Sequence, residues 1–184
     1  MKTKTLGFSL LELTVCLSII VTISSIAVPA LTDFLMQKDV EAQVQSVWRL
    51  LNTSRETAVM TGRTIHVCGL NTKGKCDINE IERLAVYEDL NKNNRLDENE
   101  QISHETDIHS STQVLFRFGN QSRSFSYRPT GYPSQPGGVI VCARMDKTVV
   151  QKITLQRAGR IYRDPDRDGD GRVEDDEGHI IECE

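Results

Sequence analysis

The chain has 184 residues, of which 38% are hydrophobic, 26% charged and 5% aromatic, and its formal charge is −4. That length holds one modest domain with an accessory segment and excludes a large multidomain enzyme. The charge is unevenly placed: residues 164–184 carry ten Asp/Glu against two Arg, a balance of −8, and residues 1–163 carry 20 Lys/Arg against 16 Asp/Glu, a balance of +4. A mildly basic body with an acidic tail is not the composition of a dedicated nucleic-acid binder.

At the N-terminus Lys2 and Lys4 precede Leu6, Gly7 and Phe8, and the run from Leu13 to Leu31 contains no charge. As a helix of about 1.5 Å per residue this run spans roughly 28 Å, close to the ~30 Å hydrocarbon core of a bilayer. The two lysines place the extreme N-terminus in the cytoplasm and the rest of the chain across the membrane, in one pass. A cleaved secretory signal peptide fits the basic start, the apolar stretch and the small residues Ala27 and Ala30. Glu12 argues against it, because a carboxylate beside an apolar run is costly in lipid and needs a partner.

The segment Gly7-Phe8-Ser9-Leu10-Leu11-Glu12-Leu13 with the apolar run behind it resembles the processing site of type IV pilins and type II secretion pseudopilins. The resemblance implies that prepilin peptidase removes residues 1–7 by cutting after Gly7, and that the new N-terminal Phe8 is N-methylated. Glu12 then becomes the fifth mature residue. In that family the glutamate is thought to neutralise the N-terminal amine of a neighbouring subunit as helices pack into a filament, which gives the charge its partner. The implied partners are other major and minor pilins or pseudopilins, the peptidase and the inner-membrane assembly platform. The implied location is the inner membrane with a periplasmic head, and later the tip of a pilus or pseudopilus.

Val40, Val44, Val47 and Leu51 recur at spacings of four, three and four, the stripe of an amphipathic helix. The spacing predicts one long helix over 8–61, with Pro29 as a candidate kink and Gly62 as its terminator. Trp48 is assigned to core packing over a partner contact.

After Gly62 short β-rich segments follow: Thr64–Cys68, Leu84–Glu88, Gln113–Phe118, Ser124–Tyr127, Val139–Ala143 and Val149–Gln156, separated by Gly, Pro and Asn clusters. One helix followed by such a series predicts an α+β fold with antiparallel sheets packed on the helix, a head over 62–163 and an acidic tail over 164–184. The head resembles the GspH/FimT-type minor pilins and pseudopilins. The cues are Arg63-Thr64-Ile65-His66-Val67-Cys68, Val86-Tyr87-Glu88-Asp89 leading a loop to Glu100, Arg128-Pro129-Thr130-Gly131, Gly138-Val139-Ile140-Val141-Cys142 and Gly159-Arg160. Such proteins are scarce tip subunits that help initiate assembly, and some related members bind DNA during uptake.

Cys16 lies in the span, leaving Cys68, Cys76, Cys142 and Cys183 on the oxidising side, where three pairings are open. The favoured pairing joins Cys68 to Cys76 around a short loop containing Gly69 and Gly74, and Cys142 to Cys183, fastening the tail. No Cys-x-x-Cys pair or spaced His cluster supports zinc.

Asp166, Asp168, Asp170, Gly171, Arg172, Glu174 and Glu177 satisfy the calcium-loop spacing D-x-D-x-D-G-x5-E, with the Arg172 carbonyl at position seven. Without flanking amphipathic helices the readings are a calcium-stabilised loop or a solvated acidic turn. Asp89, Asn91, Asn93, Asn94 and Glu100 have the same offsets with fewer charges, and here a surface turn competes with calcium. DNA-binding relatives carry a Gly-Arg-x-Arg tail, from which Gly159-Arg160-Ile161-Tyr162-Arg163 departs by one extra residue. Arg157, Arg160 and Arg163, with Tyr162 available to stack on a base, are candidate DNA contacts, with solvated strand arginines as the alternative. His66, His104, His109 and His179 are scattered, and no nucleophile elbow or phosphate-binding glycine loop is present. The sequence predicts neither an enzyme nor an organic cofactor.

Overall fold

A computed structural model describes residues 9–78, 80–93, 95–119, 124–167, 173–174, 178–181 and 183. The chain divides into two compact units, residues 1–35 and 36–184, and the division falls inside the single helix α1 (Leu10–Thr61).

In the first unit the helix is exposed throughout and uncharged from Leu13 to Leu31, and it is long and apolar enough to cross a membrane. Thr14, Ser18, Thr22, Ser25 and Thr32 return their hydroxyls to carbonyls three or four residues earlier, so these five hydroxyls are satisfied within the helix. The helix runs on through Pro29.

In the second unit the same helix turns amphipathic. Val40, Val44, Val47, Leu50, Leu51 and Ala58 are buried along one stripe, and Gly62, at φ 66°, ends the helix in the left-handed conformation a C-terminal cap requires. Trp48 corrects the sequence reading: it is 41% exposed. One residue past Val47 turns a side chain about 100° around the axis, which carries Trp48 off the buried stripe.

Among the described residues nine strands make two antiparallel sheets. The first contains β1 (Ile65–Leu70), β2 (Cys76–Asp77), β3 (Arg83–Glu88), β4 (Ile102–Asp107) and β6 (Ser124–Tyr127), in the order β2-β1-β3-β4, with β6 sharing the β1 edge that β2 pairs further along. The second is β5 (Thr112–Phe118), β7 (Gly137–Ala143), β8 (Val150–Leu155) and β9 (Ile161–Arg163), in the order β5-β7-β8-β9. The six sequence-read segments all lie on strands, whereas β2, β4 and β9 were not read. β4 is a polar, largely exposed edge and β9 has only three residues, so neither carries a two-residue hydrophobic period.

The helix stripe, Ile65, Val67, Leu84 and Val86 of the first sheet, and Val114, Val139, Val141 and Ile153 of the second form one core. Phe118 of β5 stacks on Phe125 of β6 with ring centroids 4.5 Å apart, joining the sheets. Alternation puts a second set of side chains on each outer face. Cys68, Leu70, Ala85 and Tyr87 are covered beside Leu96, and Ile140, Cys142 and Val150 lie under Cys183 and Ile181. The central strands of each sheet are thus covered on both faces.

Polar side chains fix the helix to the head. Gln43 is buried and donates to the Asp107 carbonyl at 3.2 Å while its oxygen accepts from His109 N at 2.9 Å. Ser111 donates to Asp39 at 2.7 Å, and Arg55 Nε donates to the Gly131 carbonyl at 3.0 Å.

Candidate functional site

The exposed apolar surface begins at the helix N-terminus. Glu12 lies in the first turn, where a carboxylate complements the helix dipole, and it is exposed with no partner among the described residues. Its neighbours Leu10, Leu11, Leu13, Val15 and Leu17 are all large, apolar and exposed. A single charge on such a surface is suited to pairing with a positive group presented by a similar helix. Gly7 and Phe8 lie outside the described residues.

The head presents three further groups of candidate residues. The structure joins Cys68 to Cys76, with Cα atoms 5.6 Å apart, and Cys142 to Cys183, with Cα atoms 6.4 Å apart; Cys16 is free. The first bond closes a hairpin over the outer face of the first sheet. The second pins the C-terminal end to β7, and the bridge between Glu174 and Ile180 turns the tail back on itself.

The arginines are not equivalent. Arg163 Nη1 bonds Glu41 Oε1 on the helix at 2.7 Å, and Glu41 also accepts from Gln45 and Gln151. The hydrogen bond from Gln45, then Arg163, hold the Glu41 carboxyl below its ordinary value. Arg160 is exposed and outside this cluster. Its turn, closed by Gly159 N donating to the Gln156 carbonyl, packs on the turn closed by Gly131 N donating to Arg128. Gly159 has φ 78°, and a Cβ there would drive into the Gly131 carbonyl. Two turns distant in sequence therefore place exposed Arg128, Arg157 and Arg160 on one corner of the head. Sequence reasoning missed Arg128 as a member of this group, because only the close approach of the two glycines brings it to Arg157 and Arg160.

Of the C-terminal acidic loop, Asp166 and Glu174 are described, whereas Asp168, Asp170, Arg172 and Glu177 lie outside the described residues. Glu174 is buried and accepts from Arg167 N at 3.0 Å. The other acidic loop is described except at Asn94. Asp89 and Glu100 are buried at its two ends, and Asp97 accepts from the amides of both Asn91 and Asn93 at 2.7 Å. Beneath it, on the outer face of the first sheet, His66 Nε2 stands 3.8 Å from Asp89 Oδ2. Burial pushes the His66 imidazole below its ordinary value, against the opposing pull of Asp89 and Glu100. Burial, and then the Asp89 charge, pushes the Tyr87 hydroxyl well up.

A long apolar helix, half of it unburied and half packed under two antiparallel sheets, defines the pilin class of protein. The family model described as "Type II transport protein GspH" matches residues 43–159, more than half of the chain, and the chain belongs to that family of structural pilin and pseudopilin subunits. The matched stretch begins on the helix stripe and ends at Gly159. Among solved structures the fold is similar to the type IV minor pilin FimU of Pseudomonas aeruginosa, at 14% identity over 72% of this chain and 92% of that one, with a TM-score of 0.51. It is also similar to the minor pseudopilin EpsH from the type 2 secretion system of Vibrio cholerae, at 16% identity over 68% of this chain and 95% of that one, with a TM-score of 0.51. No curated protein sequence matches the chain significantly. The apolar helix and the family together fit a membrane-anchored pilin.

Proposed function

We propose that this chain is a minor subunit that helps initiate or cap a type IV pilus or a type II secretion pseudopilus. In this reading it is made as a single-pass inner-membrane precursor with a periplasmic head. Prepilin peptidase cuts it after Gly7, and Phe8 becomes the methylated N-terminus. Glu12 then pairs with the terminal amine of an adjacent subunit as the helices leave the bilayer on the assembly platform. The observation that carries the reading is the stretch of α1 from Leu13 to Leu31, uncharged and fully exposed, with the Glu12 carboxylate in the turn before it. Such a surface is stable only in lipid or among like helices.

The test is the amount of pili sheared from a deletion strain complemented with wild type or with Glu12→Ala. Loss of pili rescued only by wild type supports the pilus role. Undiminished pili together with stalled export of folded periplasmic proteins assign the same architecture to a pseudopilus.

A second reading, a DNA-binding minor pilin for uptake in natural transformation, is favoured by the corner where Arg128, Arg157 and Arg160 stand exposed. Neutralising phosphates there releases counterions, so binding weakens as salt rises. Under this reading Arg160→Ala reduces the salt slope of DNA binding by about one. A slope unchanged by Arg160→Ala removes it.

A further inference from the structure

The turns at Gly131 and Gly159 gather more than arginines. Val59 of the helix lies against Gly131, where a Cβ would stand 3.1 Å from its Cγ2, and Tyr132 follows in the same turn. Val59 is 53% exposed, Met60 beside it 86% and Tyr132 49%. Arg128, Arg157 and Arg160 are exposed on the same corner, and no hydrogen bond or ion pair joins their side chains to another described residue. Exposed apolar side chains interleaved with unpaired arginines are the composition of a protein contact, in which Tyr, Met and Arg are the enriched residues.

The described anchors of the acidic tail lie toward the other end of the second sheet. Cys183 is bonded to Cys142, Ile181 packs with Cys142 and Val150, and Asp164, where the tail begins, is already paired with Lys152 at 2.9 Å. Cys142 pairs with Val150 at one end of the β7–β8 ladder, whereas Arg157 and Arg160 stand in the turn past Leu155 at the other. From Val150 to Gln156 the strand covers about 20 Å, at ~3.3 Å per residue. That is about twice the ~10 Å Debye length of 0.1 M salt, so charge at the Cys183 anchor does not neutralise the corner of its own chain. One end of the sheet therefore carries unpaired arginines among exposed apolar side chains, and the other fastens a segment with a balance of −8.

We propose that the arginine corner of one chain docks the acidic tail, residues 164–184, of a second copy. Attraction between the unlike surfaces steers the encounter and fixes its orientation, and burial of Val59, Met60 and Tyr132 supplies the apolar part. Corner and tail are different surfaces, so the contact is heterologous. A joined pair keeps one free corner and one free tail, and further copies add in one direction. The contact is separate from Glu12 and the apolar helix, and it goes beyond the filament role by giving the heads an attachment of their own.

The test is a charge swap in the full chain in detergent, read by sedimentation of a dilute labelled copy titrated with unlabelled chain. Wild type is expected to self-associate, with an apparent Kd that rises at least about tenfold between about 50 mM and about 300 mM salt. Reversing the corner with Arg157→Glu and Arg160→Glu, or the tail with Asp175→Lys and Asp176→Lys, abolishes this association in either variant alone. Mixing the two variants restores it, which a misfolded head cannot do. Wild type that stays monomeric at low salt overturns the proposal, as does a mixture that stays apart. Association undiminished in the corner-reversed variant assigns the contact to the helices and also overturns it. Binding of duplex DNA by wild type and not by the corner-reversed variant, without self-association, overturns it in favour of DNA.

Discussion

Residues 10–35 and 36–61 belong to one helix, yet they solve opposite problems. The first half is uncharged from Leu13 to Leu31 and buries none of its large side chains. The second half confines its apolar residues to one stripe and covers them with two sheets. Hydrogen bonding and helix propensity are shared by both halves, so they explain why the helix forms and not what it is for. The surroundings that each surface demands make the difference: lipid or like helices for one half, the chain's own sheets for the other.

One substitution applied twice separates the halves most sharply. Leu51→Asp places a charge in a fully buried position and is expected to destabilise the head by more than about 5 kcal/mol, seen as loss of cooperative unfolding. Ile20→Asp leaves the unfolding midpoint of the head unchanged and instead impairs membrane insertion, by roughly 3 kcal/mol on an insertion scale. Equal damage to the head from both would break the comparison.

The next largest effect belongs to the head's own fastenings. Cys142 and Cys183 are 41 residues apart and Cys68 and Cys76 only eight. On the chain-entropy model, removing the first bond costs about 4 kcal/mol and the second about 2.5, so denaturant midpoints of the paired Cys→Ser variants should rank in that order. Smaller again is Gly159→Ala, expected to cost about 1–3 kcal/mol through its left-handed φ and its collision with Gly131. The smallest is Glu41→Gln, worth less than about 1 kcal/mol because the Glu41–Arg163 pair is partly exposed. The Glu41 carboxyl is held below its ordinary 4.5 in the folded chain, so its contribution is present above that pH and lost as pH falls through the lower folded value. A urea midpoint that differs between wild type and Glu41→Gln at pH 7 but converges in acid checks the sign.

Much of this division is legible in the sequence, because both halves of α1 declare themselves by period. An uncharged run and a stripe at Val40, Val44, Val47 and Leu51 need no tertiary information, and Gly62 marks the end. The strands with buried alternation, such as β1, β3 and β7, are legible for the same reason. β4 is not, since Ile102–Asp107 contains a single large apolar residue and is a strand only because β3 lies beside it. Trp48 misleads because its size suggests burial while its position one residue past Val47 forbids it. The Glu12 surface is readable from its local motif. The addition of Arg128 to the arginine corner and the buried approach of His66 to Asp89 are not, because each depends on side chains that meet only through the pairing of distant strands or turns.

The edge strand β4 has a further consequence. It leaves one margin of the first sheet open, and along that margin stand Ser103, His104, Glu105, Thr106 and Asp107, with Arg83 of β3 bonded to Glu105 at 3.0 Å. An open margin is a template on which another chain can add a strand, and side chains of this kind discourage it by charge and hydration. Heads of neighbouring chains are thereby kept from zipping edge to edge into aggregates.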